Sequence, residues 1–288
     1  MARGRAPMIV AIVLGIAVVL SALIVAWRVL IGKRVPGYLA VAEYWVYATT
    51  DNLPDQRALM ERVLRGNPHN KPHRAAIDQR EGLLFSDIRL HLGLAKKARN
   101  PHIFRPDVLD EDVVPSKEIL TGLAKATAMI KVRYLSEAKL VDSRHLQFTP
   151  HLADAVSQMT GGTVVFDRIS DQIWTAEDFF ELLQRNPNCE RPEFHVRVVW
   201  KETEAGATAQ SLGLRKVGRW EIRTEPQEED HQVLMTGLLM RAAFQIVRHP
   251  EDEGPYEFEE FGDTFVLTLG AKAEGFQTVK VERHQVRS

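Results

Sequence analysis

The stretch FTPHLADAVSQMTGGTVVFDRISDQIWTAEDFFELL (148–183) passes through four elements in 36 residues. Phe148, Leu152, Ala155, Val156 and Met159 recur at helical spacing, and Gly161-Gly162 ends that helix because glycine adopts the left-handed backbone that closes one. TVVFD (163–167) and DQIW (171–174) read as strands joined by a turn. Thr175 and Asp178 form a capping-box pattern before Phe179, Phe180, Leu182 and Leu183. A helix followed by a hairpin and another helix, without a regular strand–helix–strand repeat, points to an α+β fold with a mixed, mostly antiparallel sheet.

The same reading extends to both sides. YLAVAEYWVYA (38–48) is rich in aromatic and β-branched residues and suits a first strand. Pro54 opens a helix with Leu59, Met60, Val63 and Leu64 on one face. Residues 67–80 have little to bury and read as an exposed loop. A strand is expected at 83–92, an irregular proline-bearing connection at 96–115, and a helix at 116–125. A half-exposed strand follows, in which Ala128, Ile130, Val132 and Tyr134 alternate with Met129, Lys131 and Arg133. The proline-rich break 186–193 divides the domain into candidate halves, 38–185 and 194–288. Beyond it come a strand carrying Phe194, Val196, Val198 and Trp200, a strand at 219–224, a helix from Gln232 to Val247 behind the acids 228–230, and closing strands DTFVLTL (263–269) and QTVKVE (277–282).

The N-terminus is of another kind. APMIVAIVLGIAVVLSALIVAW (6–27) contains no charged side chain. As a helix it would extend roughly 33 Å, enough for a hydrocarbon core of about 30 Å. Arg3 and Arg5 precede it, Arg28, Lys33 and Arg34 follow, and Trp27 stands where an interfacial aromatic belongs. Ala40-Val41-Ala42 has the small-x-small pattern of a signal-peptidase site, but the apolar run is too long and the intervening charges oppose cleavage. The expectation is a single-pass signal anchor (1–32), a linker (33–37) and a soluble domain (38–288), in contact with the bilayer through residues 6–27. The basic flank after the span favours a cytoplasmic domain.

With 45% hydrophobic residues, the soluble part can build its own core. One cysteine, Cys189, excludes an intrachain disulfide and a cysteine-rich zinc site. A net charge of −1 gives no general attraction to nucleic acid. The sequence lacks a nucleophile elbow, a P-loop, a dinucleotide fingerprint and a metalloprotease helix, and calls for no cofactor. His69 and His73 are four apart, but Pro68 and Pro72 forbid the helix that would align them on a metal. His145 and His151 are six apart, which also misaligns them, so no metal site is expected.

Three sets of residues remain as candidates. Asp142, His145, His151 and Asp167 lie near element ends and are the first residues to test for an envelope-associated hydrolase with a dispersed site. Arg215, Lys216 and Arg219, between Gly213 and Gly218, bring cations and backbone N–H groups to a turn that would suit a phosphate or an anionic lipid headgroup. Tyr256, Phe258 and Phe261 interrupt the acidic run EDEGPYEFEEFGD (251–263), read as a solvated loop, and suit a protein partner. The leading expectation is a membrane-tethered, non-enzymatic binding or adaptor domain, because a tether raises the effective concentration of a weak protein partner.

Two segments, HLADAVSQMTGGTVVFDRISDQIWTAEDF (151–179) and SLGLRKVGRWEI (211–222), resemble bacterial domain-of-unknown-function proteins. In these a helix runs into a Gly-Gly strand ending in Asp, and a later motif has Leu-Gly-(Leu/Met)-x-Lys-x-Gly-Arg. Leu212, Gly213, Leu214, Lys216, Gly218 and Arg219 match that motif, while Trp220 stands where such proteins have Pro. The resemblance implies a bacterial origin and an α+β domain, and no activity.

Overall fold

Tyr44, Val46 and Ala48 project to one side of the first strand and Trp45 and Tyr47 to the other, so both sides of that strand need a cover. The computed structural model describes residues 39–66, 77–78, 82–83, 88–109, 113–137, 140, 143–189, 191–204, 206–226, 231–273 and 275–285. The apolar run 6–27, the linker 33–37, His69, His73, Asp142 and the acids 228–230 lie outside these residues. Among the described residues no helix is long and apolar enough to cross a membrane.

In chain order the elements are β1 (Ala40–Ala48), α1 (Gln56–Gly66), the short strands β2 (Ile77–Asp78) and β3 (Gly82–Leu83), β4 (Ile88–Lys96), α2 (Lys117–Lys125), β5 (Ala128–Ser136), α3 (Arg144–Thr160), β6 (Gly162–Asp167), β7 (Gln172–Thr175) and α4 (Ala176–Arg185). After the proline-rich break come β8 (Arg197–Thr203), β9 (Gly206–Leu212), β10 (Glu221–Thr224), α5 (Gln232–Arg248), β11 (Tyr256–Glu260), β12 (Asp263–Ala273) and β13 (Phe276–Gln285). The fold is α+β.

The first five-stranded sheet has the order β4-β5-β1-β6-β7, with every neighbouring pair antiparallel. One face packs Tyr44, Val46, Ile130, Val132 and Val165 against Leu59 and Val63 of α1, Leu152 and Val156 of α3, and Phe179 and Leu183 of α4. The opposite face packs Tyr47, Met129, Val164 and Phe166 against Ile119 and Leu123 of α2 and Phe104 of a 3-10 turn. The half-exposed strand expected around residue 130 is covered at Met129, which is only 3% exposed, and stays partly open at Lys131 and Arg133. Both of these cations meet one carboxylate. Glu43 on β1 accepts from Arg133 and Trp45 and pairs with Lys131.

Local signals explain most boundaries. Ser116 caps α2 by accepting from the Ile119 N–H, Thr175 caps α4 by accepting from the Asp178 N–H, and Gly161 ends α3 at φ 64°. Other boundaries move. α3 begins four residues before Phe148 and carries Pro150 inside it, which brings His145 into the helix and into the interior. β4 runs on to Lys96 because its whole length pairs with β5. Phe194 belongs to a 3-10 turn (Pro192–Phe194) rather than to β8. Proline fixes that turn's φ, and the Pro192 carbonyl accepts from His195 N–H.

The second sheet, β11-β12-β13-β10-β9-β8, is antiparallel except between β10 and β13. Helix α5 covers one face with Met235, Leu238, Leu239, Ala242 and Ile246, packed on residues that include Ile222, Phe265 and Val279. Here the acidic run is not simply a loop. Tyr256, Phe258 and the glutamates between them alternate along β11, which pairs with β12. All strands of the first sheet precede residue 176 and all strands of the second follow residue 196, yet both belong to one compact unit, Tyr38–Ser288.

Candidate functional site

The turn read as a basic anion site is built around a carboxylate. Leu214–Val217 forms a 3-10 turn between Gly213 (φ 131°) and Gly218 (φ 76°). Glu221, at the start of β10, accepts from the N–H groups of Gly213 (2.9 Å), Leu214 (3.2 Å) and Arg215 (3.2 Å) and from the Ser211 hydroxyl (2.7 Å). Those are the N–H groups that a bound phosphate would have needed. Burial raises the Glu221 carboxyl pKa, and these four donors oppose the rise by favouring the ionised form.

The turn drives Lys216 inward, where it has no exposure. Its ammonium pairs with Asp167 at the end of β6 and donates to the His195 carbonyl (2.8 Å) and, more distantly, to Ser170 Oγ (3.4 Å). Asp167 is itself held by the N–H groups of Ile169 (3.1 Å) and Ser170 (3.3 Å) in the β6–β7 turn. Burial lowers the Lys216 pKa, while Asp167 and Glu221 pull the other way. Three acceptors around one nitrogen are what an ammonium needs to remain charged inside a protein.

Two histidines bound this cluster. His145 Nε2 lies 2.7 Å from the Lys216 carbonyl, and its ring stacks on Tyr134. His195 Nε2 lies 2.6 Å from the Cys189 carbonyl, whereas its Nδ1 is buried without a partner. A carbonyl accepts only, so Nε2 carries the proton and Nδ1 is a bare acceptor. Burial lowers the His195 pKa to about 3, with Lys216 adding to the effect, so the ring is neutral at ordinary pH. Burial also pushes the Cys189 thiol up to about 12, which leaves it protonated and a poor nucleophile.

Of the four hydrolase candidates, the three described ones part: His145 and Asp167 border Lys216 and His151 does not. Asp142 lies outside the described residues. His145 and Asp167 meet Lys216 at opposite ends of that residue, one at the backbone carbonyl and one at the ammonium. His151 faces elsewhere, its Nε2 2.7 Å from the Pro187 carbonyl. The three cations also part company. Lys216 is in the core, Arg219 donates to the carbonyls of Pro250 (2.7 Å) and Asp252 (2.5 Å), and Arg215 is exposed. Of the aromatic set, Tyr256 and Phe258 turn inward and only Phe261 is exposed, at 84%, in the β11–β12 turn. Among the described residues no three metal-ligating side chains gather as an ion would require.

Solvent reaches a groove of 510 Å³ between α1, α3 and α4. Along its wall Arg62 donates to Gln158, and Gln158 donates to Asp154 (2.7 Å); His151 and Phe180 also line it. Burial raises the Asp154 pKa, opposed by Gln158, His151 and Arg62. A second, smaller cavity of 260 Å³ opens beside Cys189 and His195. No local pattern along the chain marks either, because each collects residues from distant segments. Comparison with family models, curated proteins and solved structures finds no match to this chain.

Proposed function

We propose that this chain is a membrane-tethered, non-enzymatic binding domain, held by residues 6–27 and engaging a protein partner through the groove between α1, α3 and α4. The observation that carries the reading is the character of that groove. It is open, it presents Arg62, Gln158 and Asp154 as a polar ladder, and Phe180, 41% exposed, supplies an apolar contact at its side. Mixed charge around an aromatic is a surface that a protein segment can match. The interior cluster supports the same reading from the other direction, since Lys216 and Asp167 neutralise each other where no substrate reaches them. The basic flank after the apolar run favours a cytoplasmic domain, and the resemblance to bacterial domains of unknown function is compatible with such a role.

The test uses a photo-crosslinking amino acid in the full chain, in native membranes. At position 180 it should give a discrete protein adduct that Arg62→Glu abolishes. At position 120, exposed on α2 across the first sheet, it should give none. Equal adducts from both positions, or none from either, would overturn the groove as the partner site.

A further inference from the structure

The described chain enters the domain at Leu39, whose side chain is 47% exposed. Its backbone lies against the end of the 3-10 turn. A Cβ on Gly218 would stand 3.0 Å from the Leu39 carbonyl oxygen, so the chain entry and the residues around Gly218 are neighbours. Two positions beyond Gly218, Trp220 is 42% exposed, and among the described residues its indole N–H has no acceptor. Arg215, in the same turn, is exposed as well. A half-exposed tryptophan with a free N–H is apolar on its faces and polar at its edge, the combination that concentrates this residue between hydrocarbon and headgroups. With residues 6–27 in a bilayer, residues 28–38 hold Leu39 within about 40 Å of the span even when fully extended. Charge does not select the lipid. Arg219 is turned onto the carbonyls of Pro250 and Asp252, and the exposed Glu251, Asp252 and Glu253 beside it offset Arg215.

We propose that Leu39 and Trp220 form a phospholipid contact that seats the domain on the bilayer, with the Trp220 indole at the headgroup boundary and Arg215 on a lipid phosphate. This contact rests on the membrane tether of the proposed function and is independent of the groove between α1, α3 and α4. The tether supplies what two apolar side chains lack. It keeps them at high local concentration beside the membrane, so a weak partition becomes a standing contact. The phosphate is common to zwitterionic and anionic lipids, and an exposed guanidinium recognises it in either. Because the neighbouring acids oppose a negative surface, docking is expected in phosphatidylcholine and should be no stronger in phosphatidylglycerol.

The test places the full chain, labelled with 5-fluorotryptophan, in phosphatidylcholine nanodiscs whose headgroups carry a spin label, and reads the five tryptophans by ¹⁹F NMR. Trp27, at the end of the apolar run, reports on the tether. Trp174 and Trp200, half-buried on β7 and β8, report on the rest of the domain. Trp27 and Trp220 should broaden together while Trp174 and Trp200 stay sharp. A Gly-Ser insertion between Gly37 and Tyr38 that doubles the stretch 28–38 separates docking from mere nearness, and Trp220 should keep most of its broadening. Leu39→Glu should sharpen Trp220 and leave Trp27 broad, with matching thermal melts to show that the variant folds. Trp220 sharp beside a broad Trp27 would overturn the docking and leave the tether standing, whereas a sharp Trp27 would remove both. Broadening of Trp220 that vanishes with the longer linker, that Trp174 and Trp200 share, or that needs phosphatidylglycerol would also overturn it.

Discussion

Lys216 and Asp167 are both fully buried, and each is the other's only opposite charge in direct contact among the described residues. Removing one partner leaves an unpaired charge in the interior, so Lys216→Met and Asp167→Asn should each destabilise the domain by about 3–5 kcal/mol. The double variant should lose clearly less than the sum, because the amide introduced at position 167 retains an acceptor for the β6–β7 turn and no charge remains. Urea denaturation of the four proteins checks this, and strict additivity would mean that the pair is not coupled. His195 adds a pH dependence. Its folded pKa, about 3, lies below its ordinary value of 6.5, so the unfolded chain binds a proton that the native ring refuses. Its contribution is complete above about pH 6.5 and declines as pH falls toward 3, by about 4–5 kcal/mol if it acted alone. Glu221, whose pKa is raised, has the opposite sign. His195→Gln should flatten the fall in urea midpoint between pH 6.5 and 4; an unchanged slope would assign that fall to other groups.

At the scale of the element, the 3-10 turn depends on a residue that follows it. Glu221 satisfies three of its N–H groups from β10, and Gly213 fits only because it lacks a side chain: a Cβ there would lie 2.1 Å from the His195 carbonyl oxygen. Glu221→Ala should therefore destabilise by about 2–4 kcal/mol through orphaned N–H groups. Glu221→Gln, which keeps an acceptor, should cost less. Thermal melts compare them, and equal losses would show that packing rather than capping dominates. Elements with strong local chemistry were the legible ones. Thr175 and Asp178 announced α4, Ser116 began α2, and Gly161 closed α3. The early start of α3 was hidden by Pro150, whose presence argues against a helix interior. β11 was hidden by its composition, since acidic residues are read as solvated even when YEFEE alternates with the period of a strand.

For the whole molecule, the α+β class and the mostly antiparallel pairing follow from the order and length of the elements, and the sequence carried them. Arg215, Lys216 and Arg219 show why the candidate site did not follow in the same way. Close together in the chain, they end in solvent, in the core and on the carbonyls of residues 250 and 252. Lys216 meets Asp167 across 49 positions, and His195 meets the cavity through helices that begin and end far from it. Spacing along a chain cannot express such meetings, which are created by packing. The most visible cations thus separate in the folded chain, while the least conspicuous histidine lines a cavity.

The parallel pairing of β10 with β13 has a bearing on the order in which the molecule is made. β13 is the last of the described strands to be synthesised, yet it lies inside the second sheet, between β12 and β10. Until residues 276–285 emerge from the ribosome, β10 and β12 each present an unpaired margin and the apolar side of α5 lacks Val279 beneath it. The nascent second half is therefore open to strand addition by other chains throughout that interval, whereas the first sheet already has all its strands.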